Sequence, residues 1–135
     1  MSGDDRLQPA PRILVWGAGA IGGTVAAYLR RAGLDITAVD NHANHVRAIR
    51  ERGLAITGPI DTFTQSIPTF APDEVAGAWD KIFLCVKALH TDAAARQLAP
   101  HLAADGVVVS LQNGFNEIAI AGVVGQARTM GAFVN

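Results

Sequence analysis

The sequence predicts an α/β domain, a doubly wound and mostly parallel sheet with helices on both faces. Three observations carry this reading. Short apolar runs alternate with stretches of helical periodicity along most of the chain. Two of these runs, 13–16 and 36–39, are largely or wholly apolar, as strands covered on both faces are. A glycine-rich hexapeptide stands at the first strand-to-helix junction, and right-handed crossovers would wind the following units onto one sheet.

The elements follow in order. Residues 1–11 are polar, contain Pro9 and Pro11, and read as a flexible leader to a domain spanning 12–135. Residues 12–16 form the first strand. Ile21, Val25, Tyr28 and Leu29 then recur at helical spacing, and Gly33 ends that helix as a C′ glycine does. The second strand is 36–39. A charged surface helix over 42–52 stops at Gly53. Residues 54–67 are β-rich around a Gly58-Pro59 turn, either a hairpin or an irregular excursion. Residues 81–86 make a buried strand. Ala94, Leu98 and Leu102 repeat at four-residue spacing on the next helix, with Thr91 and Asp92 as capping residues. A strand over 107–111, a helix over 118–124 and a last strand over 128–134 complete the pattern.

Composition narrows the function. The 135 residues carry 11 Lys plus Arg against 12 Asp plus Glu, a net charge of −1, which argues against nucleic acid or an acidic membrane surface as partner. Aromatic residues make up 6% of the chain, too few for base-stacking platforms. A single cysteine excludes an internal disulfide framework and a cysteine-based zinc site, and His90 and His101 have no partner at metal-ligand spacing. No metal is expected. The uncharged stretch 13–29 is broken by clustered glycines, so it is not a membrane span. The polar, acidic start is no signal peptide, and a cytoplasmic location is the expectation.

Gly17-Ala18-Gly19-Ala20-Ile21-Gly22 matches the dinucleotide-binding fingerprint, with a strand before it and a helix after it. Gly17 permits the tight turn, Gly19 lets the backbone approach a pyrophosphate, and Gly22 lets helix and strand pack closely. The phosphates would sit on the helix N-terminus. Asp40 lies 18 positions after Gly22 at the end of the second strand. Its carboxylate can accept the ribose hydroxyls of NAD(H) and repel a 2′-phosphate; the other reading is a helix-capping or turn aspartate. His42, His45 and Arg47 offer the opposite charge, so NAD(H) is favoured only modestly over NADP(H). Lys87 and Asn113 follow the ends of two further strands, on the rim where an open sheet binds its ligand. Lys87 suits a phosphate, a carboxylate or a polarised carbonyl, and Asn113 suits a nicotinamide, a ribose or a substrate hydroxyl. Taken singly, each also fits a solvated strand end or a turn. Cys85 reads as a small core residue.

Taken together, the run Ile-Leu-Val-Trp-Gly-Ala-Gly-Ala-Ile-Gly-Gly at 13–23, Cys-Val-Lys-Ala-Leu-His-Thr at 85–91 and Ser-Leu-Gln-Asn-Gly-Phe at 110–115 resemble the N-terminal domain of the ketopantoate reductase (2-dehydropantoate 2-reductase) family, over 12–135. The resemblance implies an NAD(P)H-dependent oxidoreductase with a Rossmann-type domain. Its reaction is hydride transfer to the keto group of ketopantoate or a related 2-keto acid, a step toward pantothenate and coenzyme A. It also implies that Gly17, Gly19 and Gly22 hold the pyrophosphate, that Lys87 touches cofactor and substrate space, and that Asn113 lies where nicotinamide meets substrate. Two departures stand out. The arginine that NADPH users often carry just after the second strand is replaced by Asp40-Asn41-His42. The family's helical second domain, which supplies the catalytic lysine, is expected to be missing here. The chain alone is therefore expected to lack a catalytic residue and to be inactive, its partner being that domain or a second subunit, with a homodimer left open for the full-length protein. A stand-alone dinucleotide-binding module and the cofactor domain of another hydroxyacid or sugar-nucleotide dehydrogenase are the alternatives.

Overall fold

The structure is a computed structural model that describes residues 12–112 and 116–132. The proposed leader and Asn113 lie outside the described residues. In chain order the strands are β1 (Ile13–Trp16), β2 (Ile36–Val39), β3 (Leu54–Thr57), β4 (Thr62–Gln65), β5 (Thr69–Phe70), β6 (Trp79–Leu84), β7 (Leu102–Ser110) and β8 (Thr129–Gly131). The α-helices are α1 (Ala20–Arg31), α2 (Ala43–Arg52), α3 (Thr91–Leu98) and α4 (Glu117–Val124).

Six strands form one sheet in the order β5-β2-β1-β6-β7-β8, and every pairing is parallel. The doubly wound α/β fold is therefore present. The chain winds outward from β1 to β2 and β5, then crosses back to β6 on the other side of β1. The switch point lies between β1 and β6, and a crevice opens there above the carboxyl ends of the strands.

The all-apolar strands explain the two-layer packing. Leu14 and Trp16 of β1 face one core with Val39, Ile82, Leu84, Leu98, Val108 and Ile120, beneath α3 and α4. Ile13 and Val15 face the other, with Ile36, Ala38, Ala26, Ala27 and Ile49, beneath α1 and α2. Removing both faces from water leaves no polar position on β1, where all four residues are buried.

Four details differ from the sequence reading. The buried stripe of α1 is Gly22, Gly23, Ala26 and Ala27, while Ile21, Val25, Tyr28 and Leu29 are half-buried at its flanks. Small residues let the helix axis approach the sheet, and the larger side chains then lap over the margins. Tyr28 meets Phe63 edge-on at 5.0 Å, and Arg31 lies 3.9 Å over the Phe63 ring while donating to Asp61 at 2.6 Å. That latch holds the β3–β4 hairpin, the predicted excursion around Gly58-Pro59, against α1. Second, Leu102 opens β7 instead of closing α3, because Pro100 cannot continue the helix. Third, β6 runs over Trp79–Leu84, with a register irregularity between Trp79 and Lys81, so Lys87 follows the strand by three positions. Fourth, the two-residue β5 extends the sheet past β2.

At the opposite edge β8 reaches only Val108, Val109 and Ser110 of the nine-residue β7. The Arg128 guanidinium donates to the carbonyls of Ala103 and, at 3.3 Å, Gly106.

Candidate functional site

A cleft of about 370 Å³ opens at the β1/β6 switch point. Its floor is the loop after β1, its near wall the end of β2, and its far wall the segment from Cys85 into α3.

Gly17 turns the chain out of β1 with φ +103°, a conformation that side chains rarely adopt. A Cβ there would sit 3.0 Å from the Cys85 carbonyl carbon and 3.1 Å from Val86 Cγ1, so only glycine lets the two strand-end loops touch. Gly22 lies one helical turn on, directly under the Gly17 carbonyl. Gly19 differs: a Cβ built on it meets nothing within 4 Å. Gly19 is also the N-cap of α1 and makes no side-chain cap, so the first-turn amides are left for another acceptor. An anionic group on that open face is favoured by the amides and by the helix dipole. Ala20 is exposed and Ile21 half-buried at the start of this turn. Ala18 is different, being 1% exposed with both of its backbone polar groups engaged inside the protein.

Those groups lead to Asp40, which follows β2 and is 8% exposed. Its Oδ2 accepts the Ala18 N–H at 2.9 Å, and its Oδ1 accepts the His42 N–H at 2.9 Å and the His42 ring at 3.0 Å. His45 Nε2 lies 2.7 Å from the Ala18 carbonyl, which can only accept, so Nε2 carries the proton. Burial pushes the Asp40 carboxyl up, but the hydrogen bonds from the His42 and Ala18 backbones, the His42 ring and the charge of His45 outweigh it. Asp40 is held below the ordinary carboxylate range and stays ionised. It thus serves as the acid facing the cleft and also as the strut of the glycine loop.

Lys87 is exposed on the far wall, at the start of a short 3₁₀ turn, Ala88–His90. The structure brings Gly17, Gly19, Asp40 and Lys87 around one cleft. Of the three candidates for a 2′-phosphate, His42 and His45 line it, whereas Arg47 lines a separate groove with Arg50 and Glu74. Cys85 lies beneath, its thiol pushed up to about 12 by burial, which makes it a packing residue and not a nucleophile. The sequence reading missed the α3 wall, where His90, Ala93 and Gln97 face the cleft. Their spacing of three and four is a helix-face signal, but its small and polar residues do not register in a search for apolar periodicity. Thr91 is the first residue of α3 and makes no cap; its hydroxyl is used elsewhere. Among the described residues no group of three metal-ligating side chains occurs, and no helix is long and apolar enough to cross a membrane.

The family model of the ketopantoate reductases PanE/ApbA matches residues 13–134. The chain belongs to this family. Among curated ketopantoate reductase relatives, the 2-dehydropantoate 2-reductase of Halobacterium salinarum is 32% identical over 111 residues, which are 81% of this chain and 36% of that protein. The enzyme of the same name from Pyrococcus horikoshii is 38% identical over 104 residues, 76% of this chain and 33% of that one. The chain thus spans about a third of the length of these relatives. The ternary structure of D-mandelate dehydrogenase with NADH and anilino(oxo)acetate superposes with a TM-score of 0.84 at 26% identity, covering 90% of this chain and 40% of that one. The 2-dehydropantoate 2-reductase of Geobacter metallireducens gives 0.77 at 29% identity, covering 89% and 40%.

Proposed function

We propose that this chain is the dinucleotide-binding part of a ketopantoate reductase-like oxidoreductase, which reduces the keto group of ketopantoate or a related 2-keto acid with NAD(P)H. The observation that carries this reading is the open face of Gly19 at the N-terminus of α1, beside the buried carboxylate of Asp40. Family membership supports the reaction class. The residues fit a dinucleotide: the first-turn amides of α1 would take the pyrophosphate, Asp40 the adenosine ribose, and the wall from Val86 to Gln97 the base. Lys87 would place its charge beside a phosphate or a substrate carboxylate, and Asn113 would meet the nicotinamide or the substrate. The bound reduced nicotinamide supplies the hydride. The proton donor is proposed to come from the helical domain, in a part of the relatives that this chain does not match. NAD(H) is favoured modestly, because the buried Asp40 charge faces the place of a 2′-phosphate while Arg47 lines another groove.

The test is a fluorescence titration of NADH and NADPH into the 135-residue chain, followed by a turnover assay with ketopantoate. Binding of both, tighter for NADH, with turnover near background is the expected result. A chain that binds neither cofactor overturns the reading.

A further inference from the structure

Behind the far wall of the cleft lies a buried chain of polar side chains that joins three segments distant in sequence. Ser110 ends β7, Gln112 follows two positions on, Thr91 begins α3, and Asn116 precedes α4. Ser110 and Thr91 are each 2% exposed and Gln112 is 9% exposed. Ser110 Oγ donates to Gln112 Oε1 at 2.8 Å. Gln112 Nε2 donates to the Val86 carbonyl at 2.8 Å and to Thr91 Oγ1 at 2.7 Å. The Thr91 hydroxyl donates onward to Asn116 Oδ1 at 3.4 Å.

The donors run in one direction, so the orientation of the Gln112 amide is determined. Turned over, its oxygen would face the Val86 carbonyl, two acceptors with no proton between them. No buried side-chain nitrogen or oxygen among the described residues lacks a partner. A fully satisfied buried network of this kind rigidifies what it joins, because any displacement leaves a polar group unpaired in a dry place.

What it joins is the cleft wall. The β6–β7 pairing ends at Leu84 and Ser110, where the Leu111 N–H reaches the Leu84 carbonyl at 2.9 Å. Two positions beyond Leu84, the Val86 carbonyl accepts from the Gln112 side chain and so continues the link between the two strand ends. Val86 also lies directly against the glycine loop, since a Cβ on Gly17 would be 3.1 Å from Val86 Cγ1. Val86 and Lys87 line the cleft, while Gln112 does not.

We propose that Gln112 is a positioning residue for the cofactor cleft: with Thr91 it fixes the Val86–Lys87 wall at a set distance from the glycine loop. The proposal rests on the dinucleotide-binding reading and assigns that function a residue that does not touch the cofactor.

The experiment compares Gln112→Leu, Gln112→Glu, Thr91→Val and Thr91→Ser with the wild-type 135-residue chain. NADH affinity, thermal unfolding and cofactor-free hydrogen exchange of the amides from 86 to 91 are measured. Gln112→Glu keeps the shape and the bond from Ser110, but ionised it donates to neither Val86 nor Thr91, and protonated it can donate to only one of them. Gln112→Leu, which loses both donor bonds, should weaken NADH binding by about tenfold or more, Gln112→Glu, which loses at least one, should weaken it in the same direction, and both should accelerate exchange over 86–91. Thr91→Val should shift both readouts in the same direction, and Thr91→Ser, which keeps the hydroxyl, should restore both. If the Gln112 variants do not fold, the threonine pair decides alone. Folded variants with wild-type NADH affinity overturn this proposal, as does a serine that fails to rescue. A wild-type chain that binds neither NADH nor NADPH overturns the dinucleotide reading and this proposal with it.

Discussion

Two glycines three positions apart, Gly19 and Gly22, should separate binding from folding when each gains a side chain. In Gly22→Ala the new methyl overlaps the Gly17 carbonyl oxygen and lies 2.9 Å from Cys85 Cβ and 3.0 Å from the Gly17 carbonyl carbon. Two of these neighbours are backbone atoms of a turn held at φ +103°, so no flexible side chain can move aside. Overpacking of this kind costs about 1–3 kcal/mol, and the rigid neighbours put Gly22→Ala at the upper end. With an unfolding entropy of about 2.1 cal/mol/K per residue, roughly 3 kcal/mol lowers the Tm of a chain this long by about 10 °C. Gly19→Val has no such neighbour, and its φ of −78° suits any residue. Its cost is the loss of a favoured N-cap glycine, at most about 1 kcal/mol or roughly 3–4 °C. The branched side chain does, however, fill the face offered to the pyrophosphate, and NADH affinity should fall at least about tenfold, or 1.4 kcal/mol. Thermal circular dichroism and NADH titration on the same samples read both effects. A Gly19→Val chain that binds NADH as tightly as wild type refutes the placement of the pyrophosphate. A Gly22→Ala chain with an unchanged Tm refutes the packing argument.

Asp40→Ala should flatten the preference for NADH over NADPH, and it should also weaken binding of both, because the Ala18 N–H loses its acceptor; a variant that binds NADPH better at unchanged NADH affinity counts against the strut role. The Asp40 carboxyl is depressed in the folded chain, so its stabilisation is complete above the ordinary carboxylate range and is lost as pH falls through its lower folded-state value. The Tm gap between wild type and Asp40→Asn should therefore shrink as pH falls from about 4 downward; a gap that widens over that acid range reverses the sign and the argument. Cys85, with its thiol pushed up to about 12, should react with iodoacetamide at pH 8 at least about a hundredfold more slowly than free cysteine, and fast labelling of the folded chain would contradict its burial.

The central strands and the glycine loop were legible because their signals are local. Ile36–Val39 needs no partner to show that it is buried on both faces, and Gly17-Ala18-Gly19-Ala20-Ile21-Gly22 shows its turn by spacing alone. What was not legible depends on other parts of the chain. Large apolar residues pointed to the wrong face of α1, since the sheet selects the stripe that lets the helix come closest. β5 is two residues long and exists only because β2 offers it an edge. Asp40 was visible as a carboxylate at a strand end, but its second task needs Ala18 brought to it across 22 positions. Gln112 stood beside a residue that drew attention for its own chemistry, and only the approach of Val86 and Thr91 gives it a purpose.

The mismatch between the nine residues of β7 and the three of β8 has a consequence for the outer edge of the sheet. Unclaimed carbonyls along a strand edge are an invitation for a foreign strand to dock and for association to spread from molecule to molecule. Arg128 occupies the Ala103 and Gly106 carbonyls, in the irregular stretch of β7 between its pairings with Trp79 and Lys81, with donors that offer nothing onward to a further strand. Its charge also repels an identical edge arriving from another copy. With both carbonyls already held, this stretch offers an incoming strand fewer free acceptors, whatever the cleft binds.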